Sequence, residues 1–308
     1  MRSLAEARDD LVARWRADPN ATAFQHPDVC AATADAFGLA TRVWTAGSAT
    51  AVAYERTIGA GPLRTTVLAL PPLLPVSAPL RSSPVSEAET HRGDGDLVEL
   101  LRQIATHHPQ ATFALPSSWR DPRTFAWADW TVEARFTYEV ALPSEPHGWS
   151  SGRRQDAQRQ DVEVRVDADP PRRAAEMQAE AYRRKALPFG PTVEQMTQVA
   201  DALQSTGSLR TVTAYRSGVR EAAALFTVEG ARATYWLSGS HPGPAMAALM
   251  ARAFQHLAEE GVTTVDLNGA NVPGVAEFKR QFGATLVPRY RVRHLGPRWM
   301  RVAQALRR

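Results

Sequence analysis

Residues 262–294 constrain the fold more than any other part of the chain. A β-branched run at 262–265 predicts a short buried strand. The Asn-Gly turn chemistry after it favours a sharp change of direction, because both residues tolerate positive φ. Pro273 suits the first turn of a helix that should end at Gly283 and lead into a closing strand. Polar groups at the carboxyl end of such a strand are typical of the ligand sites of α/β proteins.

The same residues carry a known family signature. They resemble the C-terminal motif of the Fem-like peptidyltransferases and their acyltransferase relatives, in which an Asp-x-Asn-Gly turn and a short helix precede Phe-Lys-x-x-Phe-Gly. The matching positions are Asp266, Asn268, Gly269, Phe278, Lys279, Phe282 and Gly283. The likeness is strongest over 214–294, and the compact chain is most similar to the short acyltransferase-like branch. The resemblance implies an α/β (α+β) fold of tandem GNAT (acyl-CoA N-acyltransferase-like) domains, each with a mixed, mostly antiparallel sheet flanked by helices.

The order of predicted elements repeats along the chain. In each half, two helices precede a three-strand meander, a helix and two strands. A polar stretch at 143–160 separates the halves, so we expect a GNAT-like domain at 1–148 and another, carrying the Phe-Lys motif, at 149–308. The Pro- and Ser-rich residues 71–95 predict a long loop, residues 96–107 a helix, and 298–308 a basic terminal helix.

Composition limits the class of protein. The 308 residues are 44% hydrophobic and 22% charged, which is enough to bury a normal core. No apolar run has the length of a membrane span, and the N-terminus reads as a charged amphipathic helix, so we expect a cytoplasmic protein. The single cysteine, Cys30, excludes an internal disulfide and predicts a buried thiol. The net charge of +4 permits an anionic partner without requiring one.

Lysine is almost absent from the chain. Of its 36 basic residues only Lys185 and Lys279 are lysines, and an ammonium has a tunable pKa that a guanidinium does not supply. Compositional drift is the alternative explanation. The resemblance assigns the Phe-Lys pair to donor binding and catalysis. We therefore expect Lys279 to be catalytic, at the donor or the oxyanion, with Phe278 beside it.

Several polar residues are candidates for substrate binding. Asp266 and Asn268 are suited to orienting an amine, although a turn cap explains Asp266 equally well. Tyr182, Arg184 and Lys185 close a helix, where cations either stabilise the helix dipole or bind a phosphate or carboxylate. The resemblance places acceptor-binding residues in this region.

Other candidates have strong structural alternatives. Tyr235 is either a pocket wall or a core residue, and Arg123 and Trp127 belong to an aromatic cluster that suits a sugar or nucleotide cleft between domains but is more often core. Residues 121–138 also resemble a family segment that ends in Thr-Tyr. The pattern at 56–61 fits the [QR]xxGxG pyrophosphate motif, but a strand follows it, so it predicts a hairpin turn.

A donor loop is expected between the third meander strand and the long helix of the second half. Gly239, Ser240 and Gly243 fall there, where backbone amides could face an anion. The usual spacing is missing, which puts standard acetyl-CoA binding in doubt. The resemblance suggests a larger acyl donor.

The chain lacks the common motifs of other enzyme classes. It has no nucleophile elbow, zinc motif, P-loop or Rossmann glycine run. The resemblance implies transfer of an acyl group from aminoacyl-tRNA or acyl-CoA, with no tightly bound cofactor or metal, to an amine on a cell-envelope or polysaccharide precursor, as in peptidoglycan or exopolysaccharide synthesis. We expect an anionic envelope or sugar-nucleotide precursor as the partner, with tRNA as a second candidate. We expect a monomer that does not bind DNA. The alternative is a catalytically inactive GNAT pair that binds a ligand, and nucleic-acid binding through 153–160 and 298–308 is a third option.

Overall fold

A computed structural model describes residues 2–59, 61, 64–81, 86–184 and 190–296. The described chain forms two compact units, one of residues up to 134 together with 289–296, and one of residues 135–288. This division rests on compactness, and the domain limits 1–148 and 149–308 stay a prediction. The predicted terminal helix at 298–308 lies outside the described residues.

The first unit places helices around a small antiparallel sheet. Its helices are α1 (Arg8–Ala17), α2 (Pro27–Phe37), α3 (Glu87–His107) and α4 (Arg123–Trp127), and its strands are β1 (Ala40–Ala46), β2 (Ala49–Ile58), β3 (Thr65–Ala69), β4 (Leu80–Arg81) and β5 (Gln110–Ala114). β2 pairs with β1, β3 and β4. α3 buries Leu97, Leu100, Leu101 and Ile104 in the core of this unit. Arg56, Thr57 and Ile58 pair antiparallel with Val67, Thr66 and Thr65, so the start of the pattern at 56–61 lies in β2, as the predicted hairpin requires.

Two predicted irregular segments contain helices. α3 begins at Glu87, so the prediction of a loop through residue 95 is wrong over 87–95. The Ser86 side chain accepts a hydrogen bond from the Glu89 amide, and acidic residues fill the first turn, so the cap and the helix dipole outweigh the glycines. α5 (Ser151–Ala157) likewise forms inside the predicted polar boundary.

The second unit contains a larger mixed sheet. Its helices after α5 are α6 (Arg172–Arg184), α7 (Val193–Ser205), α8 (Ala245–Glu259) and α9 (Pro273–Arg280). Its strands are β6 (Thr131–Ala141), β7 (Val162–Val166), β8 (Leu209–Arg216), β9 (Val219–Glu229), β10 (Arg232–Ser240), β11 (Thr264–Asp266) and β12 (Thr285–Leu295). β6 starts in the first unit and β12 ends there. The strand order is β6-β11-β10-β9-β8-β7. Only the β10–β11 pairing among these strands is parallel. The prediction of antiparallel-rich sheets flanked by helices is confirmed.

The sheet opens where β10 and β11 part. The two strands pair only over 232–234 and 264–266. β11 then ends, whereas β10 passes through an irregularity between Tyr235 and Leu237 and continues to Ser240. The loop after β11 therefore starts where backbone pairing with β10 has stopped.

No helix among the described residues combines the length and apolar character needed to cross a bilayer. The same residues form no cluster of three or more His, Cys, Asp or Glu side chains suited to a metal ion.

Candidate functional site

The turn after β11 is held by a buried carboxylate and a buried hydroxyl. Asp266 Oδ1 accepts hydrogen bonds from Thr137 Oγ1 at 2.5 Å and from the Asn268 amide at 2.7 Å. Thr137 Oγ1 in turn accepts from the Gly269 amide at 2.9 Å. Asn268 has a φ of 58° and Gly269 a φ of 93°, the left-handed conformations that the Asn-Gly pair predicted. Asp266 therefore makes the hydrogen bond of a turn cap.

Hydrogen bonds to β6 hold this turn in place. The Leu267 amide donates to the Tyr138 carbonyl, and the Ala270 amide donates to the Phe136 carbonyl. The Asn271 side chain also brackets Phe136, because its nitrogen donates to the Phe136 carbonyl and its oxygen accepts from the Phe136 amide, each at 3.0 Å. The turn is thus tied to the neighbouring strand along its whole length.

Lys279 of α9 reaches back into this turn. Its Nζ donates to the carbonyls of Asn268 at 2.7 Å and Gly269 at 3.0 Å, and the residue is only 6% exposed. Nζ also lies 6.0 Å from the centroid of the Tyr235 ring. Burying an ammonium is costly unless polar groups surround it. The left-handed turn meets this cost by aiming two carbonyl dipoles at the charge.

Aromatic residues within α9 and just after it fix the lysine. Phe282 is fully buried against Trp149, with ring centroids 4.9 Å apart. Phe278 is partly buried and contacts Phe282 at 5.1 Å between centroids. The Arg153 guanidinium covers the Phe278 ring at 5.4 Å. Lys279 lies between these two aromatic anchors in sequence, so its direction is set by the apolar packing of the helix.

Tyr235 serves the core as well as the lysine. It is 6% exposed, and its hydroxyl contacts Met246 Sδ at 3.7 Å. Burial raises the pKa of Tyr235 to about 12, although a hydrogen bond with Ser238 acts in the opposite direction. The phenol is therefore neutral at physiological pH. It presents a ring face to the ammonium rather than a charge.

The residues predicted for a donor loop lie mostly in a strand. Gly239 and Ser240 pair with Ala223 and Ala222 of β9, so the prediction of a loop at these two positions is wrong. Gly239 is needed for close packing, because a Cβ there would lie 2.1 Å from the Met177 carbonyl oxygen of α6. Backbone pairing and this contact extend β10 through the glycine, and Gly243 alone of the three predicted donor residues lies in the link to α8.

Arg184 is brought to the end of β10. Its Nη2 donates to the Ser240 carbonyl at 2.5 Å, and its Nη1 lies 3.8 Å from a Glu180 carboxylate oxygen. Tyr182 is half-buried on the same helix. Lys185 lies outside the described residues. The structure thus groups Arg184 with Ser240, and Lys279 with Asn268 and Tyr235.

Arg123 and Trp127 lie on α4 of the first unit. Arg123 forms an ion pair with Asp121 at 2.6 Å, and its guanidinium covers the Trp127 ring at 5.7 Å. Trp127 is 54% exposed, so it is not a core residue. This pair is an exposed cation–aromatic contact within its own unit.

Sequence reasoning missed the roles of Thr137 and Asn271. Thr137 is 129 residues away from Asp266, and no local pattern predicts that their side chains meet. The resemblance of 121–138 to a family segment ending in Thr-Tyr was the one signal that pointed to this strand. Asn271 follows the Asn-Gly turn, and no local pattern predicts its side-chain hydrogen bonds to the Phe136 backbone.

Part of the sequence matches a known protein family. Residues 149–280 match the family described as an acetyltransferase (GNAT) domain. No curated protein matches the sequence.

Solved structures resemble the whole chain. FemX is 11% identical, with 94% of this chain and 96% of that chain covered and a TM-score of 0.72. L-PGS from Bacillus licheniformis is 13% identical, with 97% and 96% covered and a TM-score of 0.59. The C-terminal domain of a putative lysylphosphatidylglycerol synthetase from Agrobacterium fabrum is 15% identical, with 96% and 93% covered and a TM-score of 0.57. Residues 149–280 are therefore similar to a GNAT acetyltransferase domain and the chain shares the fold of FemX, which confirms the predicted resemblance at the level of the fold.

Proposed function

We propose that the chain is an acyl or aminoacyl transferase whose reaction centre is the turn that holds Lys279. The observation that carries the proposal is the 6%-exposed ammonium, bound at 2.7 Å and 3.0 Å to the carbonyls of Asn268 and Gly269. The GNAT domain at 149–280 and the likeness to FemX and L-PGS support acyl transfer as the reaction class.

A fixed positive charge can assist this chemistry. When an amine attacks an acyl ester or thioester, a C–N bond forms and negative charge develops on the carbonyl oxygen. The leaving oxygen or sulfur then departs with the electron pair of the broken bond, and the amine proton ends on the leaving group or on water. A preorganised ammonium at Lys279 stabilises the oxyanion, while the turn keeps it from relaxing into solvent.

Apolar side chains beside the turn suit substrate contact. Phe136, Val272 and Val275 are all exposed, and hydrogen bonds between Phe136 and Asn271 place the first two near each other. Exposed apolar groups at a polar site often mark a binding surface. We assign the acyl group or the apolar part of the acceptor to this rim, together with Phe278.

The finer assignment concerns the two substrates. We propose aminoacyl-tRNA or acyl-CoA as donor and an amine on an anionic cell-envelope or polysaccharide precursor as acceptor, with Tyr182, Arg184 and Lys185 at its anionic group. Asp266 and Asn268 act by shaping the turn, and Gly243 faces the donor.

One observation favours the alternative of an inactive binding module. Gly239 and Ser240 are occupied by strand pairing, which leaves only residues 241–244 to form a phosphate loop before α8. Such a module would bind a ligand without turnover.

The experiment separates these functions and identifies the donor. Purified protein is mixed with an amine-bearing envelope-precursor pool and either charged tRNA or acyl-CoA thioesters, and products are detected by mass spectrometry. We expect transfer with one donor class, loss of the product in Lys279→Met, and retention in Arg280→Met, which removes the neighbouring exposed cation. Use of tRNA also predicts binding that weakens steeply with salt. Ligand binding with no transfer from either donor would support the inactive module instead.

A further inference from the structure

The first unit contains a polar cavity of about 280 Å³. It lies between the end of α1, β4, α3 and the segment before α4. Its main polar lining consists of Asp18, Asn20, Arg81, Asp94, Arg120 and Asp121, with Trp119 as an aromatic wall. The proposed transfer reaction uses none of these residues.

The inner part of this cavity carries excess negative charge. Asp18 is buried, and its two carboxylate oxygens accept hydrogen bonds from the backbone amides of Asn20 at 2.8 Å and Arg81 at 2.7 Å. The Arg81 guanidinium instead pairs with Asp94 at 2.8 Å. Two carboxylates thus share one cation. Burial raises the pKa of Asp18, while the backbone hydrogen bonds from Arg81 and Asn20 act in the opposite direction.

The outer part carries a positive charge. Arg120 is exposed, and its side chain makes no hydrogen bond or ion pair with any residue that the structure describes. The third lining carboxylate, Asp121, is already paired with Arg123 at 2.6 Å. The cavity is therefore negative inside and positive at its mouth.

One carboxylate oxygen of Asp94 is available to accept a hydrogen bond from a ligand. Its Oδ1 receives both Arg81 Nη2 at 2.8 Å and Thr124 Oγ1 at 3.2 Å, whereas its Oδ2 receives no donor from the described part of the chain. The Trp119 wall is held by its Nε1 hydrogen bond to the Asp121 carbonyl at 2.9 Å, and the Arg81 guanidinium lies 5.5 Å from its ring. The inner part of the cavity is thus built from fixed side chains and keeps one open oxygen.

We propose that this cavity binds a free α-amino acid, with the ammonium inward at Asp94 and Asp18 and the carboxylate outward on Arg120. A zwitterion complements both ends, whereas a neutral sugar complements neither charge and a dianion is repelled by the floor. The cavity volume lies just below the range of about 300–1,000 Å³ that is typical of sites for drug-sized molecules. A ligand as small as a free amino acid therefore suits it. The inference does not depend on the proposed transferase function.

Isothermal titration calorimetry on the full chain tests the proposal with defined probes. Glycine, L-alanine and L-lysine are compared with the amide of each, which lacks the carboxylate, and with its N-acetyl form, which lacks the ammonium. We expect at least one free amino acid to bind and both of its derivatives to bind about tenfold or more weakly, because each loses a charge-assisted contact. Glucose serves as the neutral polyol.

Variants locate the site. Arg120→Gln should weaken binding about tenfold or more, and it should leave thermal unfolding unchanged because the side chain is exposed. Asp94→Asn should weaken binding as well, and its own unfolding curve shows whether the fold survives. Arg102→Gln, an exposed arginine of α3 outside the cavity lining, should bind like wild type. Absence of binding by every amino acid, equal binding of the derivatives, preference for glucose, or unchanged affinity in Arg120→Gln would each overturn the proposal.

Discussion

Replacing Thr137 by valine tests whether the turn after β11 is held as described. The side chain is fully buried, donates to the Asp266 carboxylate at 2.5 Å and accepts from the Gly269 amide at 2.9 Å. Valine keeps the shape and removes both hydrogen bonds. A hydrogen bond to a charged group contributes about 1.5–3 kcal/mol and an orphaned buried amide costs about 1–3 kcal/mol. Allowing for partial rearrangement, we expect the free energy of unfolding to fall by about 2–4 kcal/mol.

Urea unfolding followed by tryptophan fluorescence measures this difference. Thr213→Val is the matched control, since Thr213 is also buried in a strand of the second unit but its hydroxyl has no hydrogen-bond partner among the described residues. The control should change the free energy of unfolding by less than about 1 kcal/mol. Equal losses in the two variants would refute the assignment of Thr137 as a clamp, because they would reflect only the burial of a methyl group.

Three further predictions concern other parts of the chain. Gly239→Ala places a Cβ 2.1 Å from the Met177 carbonyl oxygen, so it should lower the free energy of unfolding in urea by about 1–3 kcal/mol or more. Gly152→Ala, with open space around it, is the control and should be close to neutral. Equal stability of the two variants would contradict the packing at Gly239. Burial raises the pKa of Glu229 to about 7, so the folded chain holds this proton more tightly than the unfolded chain. The free energy of unfolding should therefore fall as pH rises from about 4.5 to about 7, and Glu229→Gln should remove that slope and add about 1–3 kcal/mol at about pH 8, while an unchanged slope would contradict the burial. Burial also raises the pKa of Cys30 to about 12, so labelling by a thiol reagent should be negligible in the native protein and fast in urea, and rapid native labelling would show the thiol to be accessible.

The local part of the site could be predicted from sequence because short-range chemistry determines it. Asn-Gly turn preference, Pro273 at a helix start and the spacing of Phe278 and Phe282 all act within a few residues, and the structure contains β11, the turn and α9 in that order. The helix ends at Arg280, before the predicted end at Gly283. The position of Lys279 on α9 follows from the same spacing. What the spacing did not reveal is that the ammonium binds the backbone of the preceding turn.

Long-range contacts account for what sequence did not predict. Thr137 meets Asp266 only because β6 pairs with β11, and that pairing is a property of the folded sheet. Gly239 has the residue type of a flexible loop, yet it is required by the approach of Met177 from α6. Glycine meets either need, so its identity alone cannot distinguish them. The start of α3 was missed for a local reason, since nearby glycines favour a loop by propensity although the Ser86 cap starts the helix in the structure.

The rate of transfer in Lys279→Met, compared with Arg280→Met, tests the central claim most directly. Single-turnover rates are measured with the donor and acceptor pair that wild type uses, and circular dichroism confirms that each variant is folded. Removing a preorganised charge at the oxyanion should slow the chemical step about 100- to 1,000-fold, while the loss of the exposed Arg280, already paired with Glu277, should leave it within about threefold. A folded Lys279→Met protein that transfers at the wild-type rate would contradict the account.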